Sequence, residues 1–149
     1  MKRTVLSALA LAGFVYAAAW TDSWLRARTA YLEGEKYMRW NEEPALRKAA
    51  AEADFGADKA RLDEERAAGR MDDLEHSQRL ALAAFKRDEA AAESPLKLAY
   101  RWFETGADLF STPDNRWARR SRERMAEAGR LWRRELEARG LPAAERLPR

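Results

Sequence analysis

Valine occurs in this chain only at Val5 and Val15, and isoleucine does not occur at all. β-branched side chains are the material of strands, whereas Ala, Leu, Arg and Glu, which dominate here, lose little freedom in a helix. A sheet has almost nothing to be built from. The 149-residue chain is therefore expected to be all-α. With no cysteine, it has no disulfide staple, no thiolate metal ligand and no thiol nucleophile.

The first nineteen residues, MKRTVLSALALAGFVYAAA, have the layout of an export signal. Lys2 and Arg3 form a basic start, Thr4 to Tyr16 carry no charge, and Ala17 to Ala19 offer the small side chains a signal peptidase accepts. Cleavage after Ala17 or Ala19 is one reading. The other is a retained anchor, slightly short of the roughly 20 apolar residues a span requires. Trp20 and Trp24 then lie in the interfacial belt, with Arg26 and Arg28 just outside it. No Cys follows the apolar run, so attachment through an N-terminal lipidated thiol is excluded. Either way the expected location is outside the cytoplasm, periplasmic, secreted or held at the inner membrane. Without Lys2 and Arg3 the chain has 26 cationic against 25 acidic residues, so global charge gives no reason to expect nucleic acid.

Proline and glycine divide the remainder into four or five antiparallel helices, in helical hairpins or an irregular bundle. Residues 1–19 are read as signal or anchor, 20–140 as the helical domain and 141–149 as a flexible tail. The first helix after the leader, Thr21 to Trp40, places Trp20, Trp24, Ala27, Tyr31, Gly34 and Met38 on one face. Asn41 is the expected cap of the next helix, with Pro44 in its first turn, a stripe of Leu46, Ala49, Ala53, Ala57 and Ala60, and a stop at Gly69. Gly56 leaves open whether residues 43–68 form one helix or two.

Asp72 or Asp73 then caps a helix to Glu93, expected to bury Leu74, Ala81, Ala84 and Phe85. Ser94–Pro95 opens the most apolar helix, to Phe110, with Gly106 marking a close crossing. Thr112–Pro113 is expected to open the last helix, with Asp114 set against its dipole and Gly140 ending it.

The segment AYLEGEKYMRWNEEPALRKAAAEA, from Ala30, resembles one unit of a tetratricopeptide-like repeat. Gly34 and Tyr37 match the small and aromatic positions of its first helix, and Ala45, Ala49 and Ala53 the small positions of its second. Ala81, Phe85 and Pro95 echo the pattern. The resemblance implies a scaffold that holds a partner segment in a concave groove.

Signals for chemistry are sparse. His76, in DDLEH, is the single histidine; Asp72 and Asp73 lie within a turn of it. A carboxylate-bridged metal site needs two such carboxylate–histidine pairs and further carboxylates, so an exposed histidine at a helix start is expected instead. No serine sits in a GxSxG elbow, the glycines are scattered singly, and Glu42–Glu43 and Glu64–Glu65 diverge on a helix. The expectation is no enzyme, no cofactor, no metal and no evident small-molecule substrate.

The last helix carries more. From Arg116 to Arg139 it has nine arginines and four glutamates, with Trp117, Ser121, Met125, Ala128, Trp132 and Leu136 on one face. That face is a core seam or, with the arginines, a surface for an acidic partner or a membrane. Four-residue pairs such as Arg119–Glu123, Arg133–Glu137 and Glu135–Arg139 balance part of the charge. The contact surface is placed at Arg119, Arg120, Arg130 and Arg133, with Trp40 as a second candidate. The reading is an exported, non-catalytic helical adaptor for protein partners in the cell envelope, or alternatively a membrane-anchored accessory subunit. Intact mass of the purified protein separates the two: a start at Ala18 or Trp20 marks the adaptor, a retained Met1 the anchored subunit.

Overall fold

The structure is a computed structural model and describes the backbone of residues 2–112 and 114–142 and the side chains of residues 11–112 and 114–142. Five α-helices follow in order: α1 (Lys2–Glu42), α2 (Pro44–Ala67), α3 (Asp73–Ala92), α4 (Pro95–Glu104) and α5 (Arg116–Ala138). A π-helical turn, Thr105–Leu109, prolongs α4, and no strand occurs among the described residues. The chain divides into two compact units, one of Met1–Met38 with Leu96–Arg149 and the other of Arg39–Pro95.

The first unit is organised around Phe103, which is fully buried with Met38, Leu96, Ala99, Tyr100 and Ala128. Two glycines allow this packing. A Cβ on Gly34 of α1 would overlap the Phe103 ring, and one on Gly106 would stand 2.6 Å from Ser121 Oγ and 3.4 Å from Ala30 Cβ. The close crossing expected at Gly106 is thus made by α1 and α5 together. Arg124 adds an ion pair between those helices, its guanidinium donating to both oxygens of Glu35 at 2.5 and 3.0 Å. On α5, Trp117, Ser121 and Ala128 are buried and Met125, Trp132 and Leu136 half-buried, so the expected seam is the core face.

Several local expectations are corrected. The helix after the leader does not begin at Thr21, because α1 runs unbroken from Lys2 through residues 19 and 20. Asn41 lies inside α1, and α2 starts after Glu43, which makes no side-chain capping bond, with Pro44 at the first turn. Gly56 does not interrupt α2. α5 is capped not from Thr112 but by Asn115, whose Oδ1 accepts from the Trp117 and Ala118 amides at 3.0 Å, and whose Nδ2 donates to the Phe110 carbonyl. Pro113, and residues 143–149 of the expected flexible tail, lie outside the described residues. Gly69 and Gly140 do end their helices, at φ values of +68° and +69°, where a side chain would be strained.

In the second unit α2 and α3 pack as an antiparallel pair, but not on the expected faces. Leu46, Ala49, Ala53, Ala57 and Ala60 are all exposed, as are Leu74, Ala81 and Phe85, while Ala84 is half-buried. The seam consists of Leu62 and Ala83 with long polar side chains. Arg47 donates to the carbonyls of Ala90 and Glu93, and the Arg87 guanidinium lies 4.8 Å from the Phe55 ring. An alanine methyl gains little from burial, roughly 1 kcal/mol or less, so long stems and ion pairs outweigh a stripe of alanines in choosing the face.

The glycine substitutions check this packing. Gly34→Ala and Gly106→Ala are each expected to lose about 1–3 kcal/mol through overpacking. Gly56→Ala, with open space around it, should gain about 1 kcal/mol from helix propensity. Urea unfolding reads all three, and an unchanged Gly34→Ala would contradict the approach of α1 to Phe103.

Candidate functional site

Trp117 is the centre of the most unusual cluster in the first unit. It is buried in the second position of α5, its ring edge-on to Trp24 at 6.0 Å and tilted against Tyr31 at 5.4 Å. Helical spacing on two elements brings arginines to the same ring. Trp24 and Arg28 lie one turn apart on α1, and Arg116 and Arg120 one turn apart on α5. Around the Trp117 centroid stand the guanidiniums of Arg116 at 4.7 Å, Arg120 at 5.4 Å and Arg28 at 6.0 Å. Arg116 is also 5.6 Å from Trp24. All three arginines are exposed, and among the described residues none has a carboxylate within ion-pairing distance. The indole N–H of Trp117 and the hydroxyl of Ser121 are buried without a hydrogen-bond partner.

The neighbouring arginines are different in kind. Arg119 pairs with Asp114 at 2.5 Å and Arg122 reaches the same carboxylate at 3.9 Å. Arg124 is held by Glu35 and Glu127, and Arg139 by Glu135 at 2.6 Å. Glu35 and Glu127 hold the Arg124 guanidinium further toward its charged form. Burial, and then Glu35, pushes the Tyr31 phenol up.

Of the residues singled out from the sequence, Arg120 falls in the Trp117 cluster. Arg119 is instead committed to Asp114, so the expected pair with Glu123 is replaced. Arg130 is exposed and forms no ion pair among the described residues, whereas Arg133 and Trp40 are half-buried and already engaged within the chain. Arg116 was missed, and Arg28 was noted only as a flank of the leader. The signal was present as two i, i+4 spacings beside tryptophans, but only the fold shows that they meet.

His76 is the clearest revision. It is buried, not exposed, and its partner is not Asp72 or Asp73. Nε2 lies 2.8 Å from Oδ1 of Asp63 on α2 and donates to it, since a carboxylate can only accept. Lys59 pairs with the other oxygen of Asp63 at 2.6 Å. Asp72 caps α3 by accepting from the Glu75 amide, and Asp73 pairs with Arg66. Among the described residues no group of three His, Asp or Glu side chains could hold a metal. A groove of about 430 Å³ between the ends of α2 and α3 is lined by Arg47, Lys48, Glu52, Arg87 and Asp88. Arg47 and Arg87 there are already bound to carbonyls, to Asp88 and to the Phe55 ring.

Comparison with protein-family models, curated proteins and solved structures finds no match to this chain.

The Asp63 contact carries a pH dependence with a definite sign. Lys59 first, and His76 after it, hold the Asp63 carboxyl below its ordinary range. Such a group stabilises the fold fully above its unfolded pKa, about 4, and the stabilisation disappears as the pH falls through the lowered folded value. The difference in unfolding free energy between wild type and Asp63→Asn should therefore be present at about pH 5 and shrink progressively as the pH falls below about 4. Urea titrations across that range measure it. A difference that persists in acid would remove Asp63 as the tie between α2 and α3.

Proposed function

We propose that this protein is a non-catalytic helical protein of the cell envelope that works by binding, an accessory subunit held close to the membrane by its N-terminal helix; the alternative is an exported adaptor from which that helix is cleaved. The observation that carries the reading is the two-part character of α1. From Ala27 onward its face is the core of the first unit, with Ala27, Ala30 and Met38 buried. Before that, Leu11, Phe14, Val15 and Tyr16 are between 57 and 71% exposed. A contiguous apolar surface of this kind marks an interaction or membrane site, because water around it is costly. Among the described residues no helix is long and apolar enough to cross a membrane, and the side chains of residues 4–10, which complete the apolar run, lie outside them.

In this form of the reading the subunit keeps α1 attached to the folded unit. Paired helices such as α2 and α3 suit a scaffold. His76, the one residue type suited to acid–base work near neutral pH, joins α2 to α3 through Asp63.

A reporter active only outside the cytoplasm, fused after Arg149, tests the reading together with fractionation. Activity in the membrane fraction is expected. In the same cells, Arg130→Glu should weaken cross-linking to protein partners on the order of fivefold without shifting thermal unfolding. A fusion confined to the cytoplasm would overturn the proposal.

A further inference from the structure

We propose that Arg28, Arg116 and Arg120, mounted on Trp24 and Trp117, form a collar that binds the phosphates of anionic lipid headgroups. The inference rests on the reading of the N-terminal part of α1 as membrane-facing, and adds to it the class of lipid recognised.

Three observations converge on that partner. First, the three guanidiniums stand within 6.0 Å of one aromatic ring with no carboxylate to offset them among the described residues, while Arg119, Arg122 and Arg124 of α5 each have one. Arg116 is moreover the first residue of α5, and no acid lies in that first turn. Cations at a helix N-terminus oppose its dipole. Concentrating them there costs stability, and a bound anion relieves it. Guanidinium forks match phosphate oxygens in pairs, and the tryptophan faces hold the forks without neutralising them.

Second, the collar is placed where a bilayer would present phosphates. The uncharged run Thr4 to Trp20, helical throughout, covers about 24 Å along the axis, most of the roughly 30 Å of hydrocarbon. Trp20 and Trp24 follow, as amphipathic rings do at the interface. Arg28 lies about 12 Å past Trp20 and about 6 Å past Trp24, so its long side chain reaches back to the headgroup layer, as interfacial arginines do. Third, the acids on either side of Arg28 on α1 are both paired, Asp22 with Arg26 at 2.8 Å and Glu33 with Lys36. An acidic protein could also meet three arginines, but it would not account for an exposed apolar rod directly beneath them.

Flotation of the full-length protein with vesicles tests the collar. Phosphatidylcholine vesicles are compared with phosphatidylcholine containing phosphatidylglycerol. Three basic groups at the surface should favour the anionic vesicles on the order of a hundredfold, and salt should erode the preference. The triple variant R28Q/R116Q/R120Q should bind anionic vesicles no better than neutral ones, while keeping its helical circular dichroism and its residual binding through α1. A charge-matched variant, R119Q/R122Q/R139Q, removes only arginines already paired and should keep most of the preference.

Equal loss in both variants would reduce the effect to net charge and overturn the collar. Equal binding of the wild type to both vesicle types would also overturn it, yet leave the membrane-facing reading of α1 intact. Binding to neither would remove both. Tighter binding to poly-glutamate than to anionic vesicles, abolished in the triple variant, would assign the collar to an acidic protein instead.

Discussion

The approach of α1 to Phe103 is the contact on which the first unit depends. Gly34 has no Cβ, and the ring occupies the space one would take. With that ring fully buried, Met38, Leu96, Ala99, Tyr100 and Ala128 close around it. Gly106 does for α5 what Gly34 does for α4, letting Ser121 and Ala30 meet its backbone. The π-helical turn that contains Gly106 widens the end of α4 at that crossing. Packed interiors tolerate little added volume, so both positions are sensitive to a single methyl group.

The second unit is held by a different kind of force. Its seam has few large apolar side chains and many polar ones, with Arg47 on the carbonyls that end α3 and His76 on Asp63. The bulkier apolar groups, Phe85 at 61% and Leu74 at 67% exposure, face solvent. Charged and hydrogen-bonded contacts at partly exposed positions contribute individually little.

The faces of α1 and α5 could be read from spacing because their apolar residues are large and separated by polar ones. Trp24, Ala27, Tyr31, Gly34 and Met38 leave one choice, and so do Trp117, Ser121, Ala128 and Trp132. α2 offers alanines at 45, 49, 50, 51, 53, 57 and 60, spread around the helix, so no face stands out. The decision there falls to Arg47, Phe55, Asp63 and their partners on α3, which no periodicity reveals. The arginine–tryptophan cluster was half visible. Arg120 was named, but its association with Arg28 needs the crossing of two helices far apart in the chain.

Composition alone settled that the chain is helical, since two valines and no isoleucine leave a sheet without material. Proline and glycine settled most of where helices end, because φ is restricted in one and free in the other. Which arginines are paired and which stand unopposed on tryptophan was decided only by tertiary structure. Such pairing depends on distances of a few ångströms between residues as remote as Glu35 and Arg124, or Arg28 and Trp117, and local sequence carries no record of them.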